Sequence, residues 1–321
     1  MFADLAVHDT RLEECQGLYS NAWTGFHTWK QSSFQDRIQY MRKMRSLIVT
    51  HLDELIDIIC ADTGKVPVEA VTADLLTVVD YLKHVEKHGA KALRPKKVPT
   101  PLALFGRRSC IEYQPRGVVL VISPWNYPFQ LSLVPVIAAV FAGNSVILKP
   151  SEVTPKVGAA IKRLIELCEF PPGVVQVALG GKDLGAELVK GGPDYIFFTG
   201  SVRTGKIIQQ EAAKRLIPTT LELGGKDPMI VCADANLKRA AKGAVWGAFT
   251  NMGQVCMSVE RLYVERSVYD DFTAALVAEV CKLTQGSGPE HDLGAMTWPG
   301  QVEVVREHIN DALAHGARLI T

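Results

Sequence analysis

The sequence predicts an α/β protein with a doubly wound parallel sheet, followed by a second, incomplete α/β domain. The main observation is a regular alternation of apolar strand-like runs and amphipathic helices from residue 117 to residue 223. Continuous apolar runs such as 117–122 are typical of parallel strands, which are buried on both faces. A second alternation begins at Met229, and its last predicted strand has only begun at Thr321.

The elements follow from the apolar periodicity and from the positions of proline and glycine. Helical spacing predicts one long helix over 34–60 and another over 68–88. Three prolines within 93–102 forbid a helix there, which indicates an extended chain. We expect residues 95–115 to form an extended arm or oligomerisation segment. The first alternation predicts strand 117–122, helix 131–142, strand 145–149, helix 156–168, strand 174–179, helix 183–190, strand 194–198, helix 205–213 and strand 218–223. The second predicts strand 229–232, helix 237–250, strand 261–265, helices 268–283 and 300–315, and a strand from Arg318.

Length and order of elements divide the chain into two domains and the arm. We expect a dinucleotide-binding domain over 1–94 and 116–223, because ligands of doubly wound sheets bind at the carboxyl ends of the strands. Residues 224–321 form the first part of a catalytic domain. At 321 residues with 47% hydrophobic content, the chain can bury a core of this size.

Composition narrows the class of partner. Thirty-five basic against 34 acidic residues leave a net charge of +1, so no global charge calls for nucleic acid or an anionic membrane. The start lacks a secretory signal pattern, and no apolar run approaches the roughly 20 residues that span a bilayer. Seven cysteines without a CxxC pair disfavour a metal site and a disulfide framework. We therefore expect a cytoplasmic protein that holds no metal and acts on a small molecule.

Two motifs follow the first two strands of the sheet. Asn126, in Ser123-Pro-Trp-Asn-Tyr-Pro128, has an amide that can donate to an oxyanion, although it could equally cap the loop. Lys149 and Glu152, in Lys149-Pro-Ser-Glu152, can bind the hydroxyls of an adenosine ribose. The alternative is a helix start capped by Ser151 or Thr154 with a surface ion pair.

A third motif joins a strand to a helix through glycine. Phe198-Thr-Gly200-Ser-Val-Arg-Thr-Gly205 offers backbone N–H groups and a helix N-terminus to a pyrophosphate. The spacing differs from GxGxxG, and no lysine-serine pair follows the second glycine, so a nucleoside triphosphate loop is disfavoured. A tight turn that binds no ligand would have the same pattern.

A carboxylate and a thiol lie 34 positions apart in the second half. Glu222 is in the apolar run Leu221-Glu-Leu-Gly-Gly-Lys226. Burial there without a partner would increase the affinity of this carboxylate for a proton, which suits a group that acts as a general base. Lys226 or backbone N–H groups could instead hold it in a structural role. Cys256 is flanked by Gly253, so a substrate can approach, and its N–H can join Asn126 in an oxyanion hole. Taken alone, any one of the seven cysteines would more often be a small buried hydrophobe.

Taken together and in order, five motifs resemble those of the aldehyde dehydrogenase superfamily. They are Pro124-Trp-Asn-Tyr-Pro128, Gly143-Asn-Ser-Val-Ile-Leu-Lys149-Pro-Ser-Glu152, Phe198-Thr-Gly-Ser201, Leu221-Glu-Leu-Gly-Gly-Lys226 and Gly253-Gln-Val-Cys256. The resemblance runs from about residue 35 to the end. The short N-terminal region is more similar to the class 3 or coniferyl-aldehyde branch. Full-length members continue further, which makes this chain resemble a C-terminally truncated form.

The resemblance implies oxidation of an aldehyde to an acid with NAD, or with NADP as the alternative. Cys256 would be the nucleophile, Asn126 would stabilise the oxyanion, and Glu222 would activate the hydrolytic water, as in the hydrolytic rather than the CoA-acylating branch. It also implies a homodimer for a full-length form. The residues it implies for the cofactor are Ile122, Ser123, Pro124, Trp125, Lys149, Ser151, Glu152, Gly181, Phe198, Thr199, Gly200, Ser201, Gly205, Leu223 and Gly224. Two alternatives stay open: a non-catalytic remnant of such an enzyme, and a cysteine esterase that needs no cofactor.

Overall fold

The computed structural model describes Phe2 and residues 5–321, which form two compact units. The first unit extends to Leu55 and resumes over Ala73–Glu222, and the second comprises Ile56–Thr72 and Leu223–Thr321. The helices are α1 (Cys15–Trp29), α2 (Phe34–Thr50), α3 (Leu52–Thr63), α4 (Pro67–Glu69), a π-helical segment (Ala70–Leu75), α5 (Leu76–Ala92), α6 (Gln130–Phe141), α7 (Pro155–Cys168), α8 (Lys182–Lys190), α9 (Val202–Ala213), α10 (Leu237–Phe249), α11 (Tyr269–Val280) and α12 (Pro299–Ala314). The strands are β1 (Lys96–Val98), β2 (Ser109–Ile111), β3 (Val118–Ile122), β4 (Ser145–Lys149), β5 (Val175–Val177), β6 (Tyr195–Gly200), β7 (Thr219–Leu223), β8 (Asp227–Val231) and β9 (Val259–Val264).

A five-stranded sheet forms the centre of the first unit. Its order is β5-β4-β3-β6-β7, and β3 pairs in parallel with both β4 and β6. Leu120 and Ile147 in the central strands are fully buried, as expected for a sheet covered on both faces. The strand order, with helices between successive strands, confirms the predicted doubly wound α/β fold.

The predicted single helix over 34–60 is wrong, because the structure divides it into α2 and α3 at His51. Ser33 and Asp36 cap the start of α2 reciprocally, with the Asp36 N–H donating to Ser33 Oγ at 3.1 Å. His51 leaves the helical region, at φ −111° and ψ 29°. Asp53 and Glu54 in the first turn of α3 then favour a new helix N-terminus. Apolar spacing continues across the break, so it could not show the boundary.

Helix α1 was not predicted, yet it packs deeply in the first unit. Tyr19, Ala22, Phe26 and Trp29 recur at helical spacing and are all buried. The Tyr19 hydroxyl donates to the Leu188 carbonyl at 2.5 Å, and the Trp29 indole N–H donates to the Val140 carbonyl at 2.8 Å. These bonds satisfy two polar groups that would otherwise be costly to bury.

The arm forms a short hairpin. Strands β1 and β2 are antiparallel, with Lys96 opposite Ile111. Leu102 and Phe105, between the two strands, are exposed by 91% and 93%. The prolines around them leave only the short 3-10 helix Leu102–Leu104 and no α-helix in this segment.

The second unit is built around the parallel pair β8 and β9. Val231 packs with Ala241, Ala244 and Phe272 in a small apolar core formed with α10 and α11. Segment Ile56–Thr72, which we assigned to the dinucleotide-binding domain, groups with this unit. Hydrogen bonds join this segment to the rest of the unit, such as the one that the Ala295 N–H donates to the Gly64 carbonyl at 2.8 Å. The predicted domain boundaries otherwise stay a prediction.

The strand predicted from Arg318 is wrong, because residues 318–321 have no strand pairing after α12 ends at Ala314. Within the residues that the structure describes, no helix combines the length and apolar character needed to cross a membrane.

Candidate active site

The carboxyl ends of three neighbouring strands bring together most of the predicted cofactor residues. Ile122 at the end of β3 lies opposite Lys149 on one side and Phe198 on the other. The Ser123 N–H continues this pairing, donating to the Lys149 carbonyl at 3.1 Å. The loops after β3, β4 and β6 therefore begin side by side, which is where doubly wound sheets bind ligands.

Lys149 and Glu152 form an ion pair at this edge. Lys149 Nζ donates to Glu152 Oε2 at 2.6 Å, and the lysine side chain is only 5% exposed against 48% for the glutamate. Burial alone would raise the pKa of Glu152, but the hydrogen bond from Lys149, helped by a backbone N–H and the lysine charge, brings the pKa below its ordinary value. The buried end of the pair is thus cationic and its exposed end anionic.

The helix that follows does not use the side-chain cap that we considered as the alternative. Thr154 is the residue before α7, and its side chain accepts no capping hydrogen bond. Its Oγ1 is buried and has no hydrogen-bond partner among the described residues. Ser151 Oγ accepts instead from the Val153 N–H at 3.2 Å. Thr154 Oγ1 is thus a buried hydroxyl whose hydrogen-bonding capacity the described residues leave unused.

A side chain at position 200 would clash with the ring of Phe198. A Cβ on Gly200 would lie 2.5 Å from Phe198 Cζ, so the end of β6 can approach the Phe198 ring only without a side chain. Ser201 follows as the N-cap of α9, and its Oγ accepts from the Thr204 N–H at 3.2 Å. Gly205, predicted as the first residue of this helix, lies within the first turns of α9 and is buried. The turn is shorter than predicted because the helix begins at Val202.

Gly181 also stands before a helix N-terminus. It is the N-cap of α8, and a Cβ there would meet no atom within 4 Å. Open space at a helix start, with unpaired N–H groups behind it, suits an anionic group. Asp183 in the first turn of α8 is the one acidic side chain of that turn.

The loop with Pro124, Trp125 and Asn126 connects β3 to α6 and is half-buried. Its beginning is fixed by a hydrogen bond of 2.6 Å between the buried hydroxyls of Ser123 and Ser132. Its end is fixed by Asp74, a fully buried carboxylate whose Oδ1 accepts from the Phe129 and Gln130 N–H groups at 3.1 and 3.2 Å. Asp74 thus caps the start of α6.

Glu222 lies in β7 at one edge of the sheet, and its side chain is exposed. The predicted burial of this carboxylate is therefore wrong, because an edge strand leaves alternate side chains open to solvent. Lys226, considered as its partner, pairs with Glu260. Leu223 is partly buried, while Gly224 is exposed with no atom within 4 Å of a Cβ built there.

Cys256 is exposed, and the backbone before it has an unusual course. Asn251, Met252 and Gly253 all have positive φ, of 52°, 58° and 72°. Gln254, 7% exposed, donates from Nε2 to the Asn251 carbonyl at 2.8 Å. The thiol is presented at the surface of the second unit by a loop whose base is buried.

Sequence reasoning missed the residues that hold these loops. Asp74 and Glu69 both use carboxylates to accept backbone N–H groups from segments far away in the chain. In the sequence they read as ordinary polar positions of an amphipathic helix. Asp74 could have been suspected from its place among Ala73, Leu75 and Val78, which is otherwise an apolar face.

The fold and the strand-edge residues define a class first. A parallel sheet with a buried lysine at the end of one strand and a glycine-ended strand before a helix start has the layout of a doubly wound α/β protein. The chain belongs to the aldehyde dehydrogenase family, whose sequence profile, described as "Aldehyde dehydrogenase family", matches residues 5–321.

Individual relatives agree with this assignment. The chain is 44% identical over 291 residues to the 4,4'-diapolycopene aldehyde oxidase of a Methylomonas species, a match that covers 90% of this chain and 55% of the relative. It is similar to the substrate-bound structure of Staphylococcus aureus AldH, with a TM-score of 0.86 and 34% identity over 95% of this chain and 66% of that one. The NAD+ complex of an aldehyde dehydrogenase from Bacillus cereus gives a TM-score of 0.90 and 30% identity, covering 97% and 64%. The chain thus spans less than two thirds of these proteins.

Proposed function

We propose that this protein oxidises an aldehyde to a carboxylic acid with NAD(P)+, and that Cys256 is the nucleophile. The exposed thiol of Cys256, in a chain of the aldehyde dehydrogenase family, is the observation that carries the proposal. A thiolate is a strong nucleophile, and attack on the aldehyde carbon would give a thiohemiacetal on Cys256. The Asn126 amide and the Cys256 N–H would donate to its oxyanion.

The cofactor, when bound, accepts the hydride that the thiohemiacetal loses. Lys149 and Glu152 would bind its adenosine ribose, and the Gly200–Ser201 backbone at the start of α9 would bind its pyrophosphate. The carboxylate of Glu152 would repel a 2′-phosphate, which favours NAD over NADP. Other predicted contacts are those of Ile122, Ser123, Pro124, Trp125, Ser151, Gly181, Phe198, Thr199, Gly205, Leu223 and Gly224.

The second half-reaction hydrolyses the thioester left on Cys256. Glu222 would take a proton from water, and the resulting hydroxide would attack the thioester carbon and release the acid and the thiol. The exposure of Glu222 supports access of this carboxylate to water. We further propose a cytoplasmic location and a homodimer for the form with a complete catalytic domain.

The test is aldehyde-dependent reduction of NAD+ or NADP+ by the purified protein, measured by absorbance of the reduced cofactor. The aldehyde panel includes short aliphatic, aromatic and long polyene aldehydes, the last because of the similarity to the Methylomonas enzyme. Cys256→Ser should abolish turnover. Reduction that persists in Cys256→Ser would refute the proposed nucleophile.

Glu222→Gln separates the two half-reactions. It should allow one burst of reduced cofactor per active site and then slow turnover by about 100-fold or more, the typical contribution of a general base. The acyl group retained on Cys256 should appear in the intact mass. Steady turnover without a burst would exclude Glu222 from hydrolysis.

An exposed thiol also supports a second candidate function, hydrolysis of activated esters without cofactor. Ester cleavage that depends on Cys256, together with no cofactor reduction for any aldehyde, would favour this candidate. Absence of both activities would favour a non-catalytic protein.

A further inference from the structure

The loop before Cys256 has a backbone that needs support. Three successive residues, Asn251, Met252 and Gly253, are in the left-handed region, where only glycine is free of steric cost. Met252 in particular has a Cβ and no side-chain group that stabilises this conformation locally. Such a course persists only where surrounding contacts determine it.

Glu69 provides one of these contacts from a distant part of the second unit. The Asn251 N–H donates to Glu69 Oε1 at 2.6 Å, a contact between residues 182 positions apart. Asn251 is only 1% exposed, so water has little access to this donor. A bond to a carboxylate is also stronger than one to a neutral acceptor, which makes Glu69 a firm anchor for the first left-handed residue.

The anchored residue is coupled to Gln254, two positions before Cys256. Gln254 Nε2 donates to the Asn251 carbonyl at 2.8 Å, and Asn251 Nδ2 donates to the Gln254 carbonyl at 3.2 Å. Gln254 Oε1 accepts from the Thr297 N–H at 2.9 Å, which fixes the other side of the loop. Displacement of Asn251 would therefore move two groups that bond to Gln254, one to its side-chain amide and one to its backbone carbonyl.

We propose that Glu69 is a positioning residue for Cys256, acting through Asn251 and Gln254. Its carboxylate holds the left-handed turn, and the turn sets the direction in which the thiol and the Cys256 N–H face an approaching carbonyl. Glu69 touches no substrate in this role. The inference rests on the proposed function of Cys256 as nucleophile, and its test includes a readout that does not depend on aldehyde oxidation.

The experiment compares Glu69→Ala, Glu69→Gln and Glu265→Ala. Glu69→Ala removes the acceptor, and Glu69→Gln keeps an oxygen for the Asn251 N–H. Glu265→Ala is the matched control, because Glu265 also accepts a backbone N–H of this unit, that of Ala233 at 3.0 Å, away from the Cys256 loop.

Two rates are measured for each variant. One is the rate of aldehyde oxidation, as kcat and KM, and the other is the rate of alkylation of Cys256 by iodoacetamide, followed by peptide mass spectrometry. NADH binding, for which most of the proposed residues belong to the first unit, reports general damage.

For Glu69→Ala we expect a fall in kcat/KM of about 100-fold, the size that misplacement of a reacting group by about 1 Å produces. The loss should lie mainly in kcat, the alkylation rate of Cys256 should change in the same variant, and NADH binding should be retained. Glu69→Gln should recover most of both rates, and Glu265→Ala should match the wild type.

The proposal is overturned if folded Glu69→Ala has wild-type rates of oxidation and alkylation, or if Glu265→Ala loses as much as Glu69→Ala. If Glu69→Ala is insoluble, Glu69→Asp, whose carboxylate is one methylene shorter, decides the question in the same assays. Oxidation that survives Cys256→Ser refutes the proposed function instead, while the alkylation rates still decide whether Glu69 positions the thiol.

Discussion

Lys149 and Glu152 share one hydrogen-bonded ion pair, with the lysine buried against the sheet and the glutamate reaching solvent. The distance of 2.6 Å joins Lys149 Nζ to Glu152 Oε2, and the Lys149 side chain is also close to Gly185 of α8. A lysine with so little access to water needs this carboxylate as its partner. The pair therefore fixes a cation at the carboxyl end of β4, beside the ends of β3 and β6.

Substitution Lys149→Ala should weaken NAD+ binding by about 10- to 100-fold, since a hydrogen bond to a charged group contributes about 1.5–3 kcal/mol. Isothermal titration calorimetry measures the change. Lys43→Ala is the control, because Lys43 pairs with Glu169 in a more exposed ion pair of the same unit. Equal affinities for Lys149→Ala and Lys43→Ala would remove Lys149 from the cofactor site.

Two glycines of the proposed cofactor site should respond differently to alanine. In Gly200→Ala the new Cβ would lie 2.5 Å from Phe198 Cζ, so β6 or the Phe198 ring must shift. Overpacking of this kind costs about 1–3 kcal/mol, and it should lower both the unfolding midpoint and the affinity for NAD+. In Gly181→Ala the Cβ meets open space, and the unfolding midpoint should stay near that of the wild type. Thermal unfolding with and without NAD+ checks both, and an unchanged Gly200→Ala would contradict the steric argument.

The capping box of α2 gives a prediction about pH. Hydrogen bonds from the Ser33 hydroxyl and backbone N–H, reinforced slightly by Arg37, hold the pKa of Asp36 below its ordinary value. Because the unfolded chain then takes up the proton first, this contribution to stability is complete above about pH 4 and is lost as the pH falls through the folded-state pKa.

Asp36→Asn should therefore lower the unfolding midpoint by about 1–3 °C at neutral pH, with the difference shrinking toward about pH 3. Differential scanning calorimetry across this range measures it. Asp57→Asn, in an exposed position of α3, should show no such difference. A difference between wild type and Asp36→Asn that grows on acidification would mean that the sign of the pKa shift is wrong.

Much of this arrangement could be predicted from the sequence. The parts that could not be predicted share one cause. Continuous apolar runs predict buried parallel strands such as β3 and β4. The family was indicated by the order in which the motifs occur, with Asn126, Lys149, Gly200, Glu222 and Cys256. Local patterns carry that information because each strand or turn needs its own residues.

Contacts between segments that are distant in the chain could not be predicted from the sequence. The break at His51 lies within unbroken apolar spacing, and the start of α9 at Val202 depends on the Ser201 cap rather than on Gly205. The exposure of Glu222 follows from the place of β7 at the edge of the sheet, which strand order alone determines. Glu69 and Asp74 act on backbone groups more than 50 positions away, and no sequence period reports such pairs.

Asp74 leads to the last prediction, which concerns the loop that carries Asn126. Its Oδ1 accepts two N–H groups at the start of α6, and Asp74 itself is fully buried. In Asp74→Ala both donors lose their acceptor inside the protein, so we expect a loss of about 2–4 kcal/mol in the free energy of unfolding. Asp74→Asn keeps an oxygen at this position and should lose less. Chemical denaturation gives these values, with Asp80→Ala, an exposed aspartate of α5, as a control expected to stay within about 0.5 kcal/mol of wild type. If Asp74→Ala and Asp80→Ala are equally stable, the two hydrogen bonds do not hold the loop that carries Asn126.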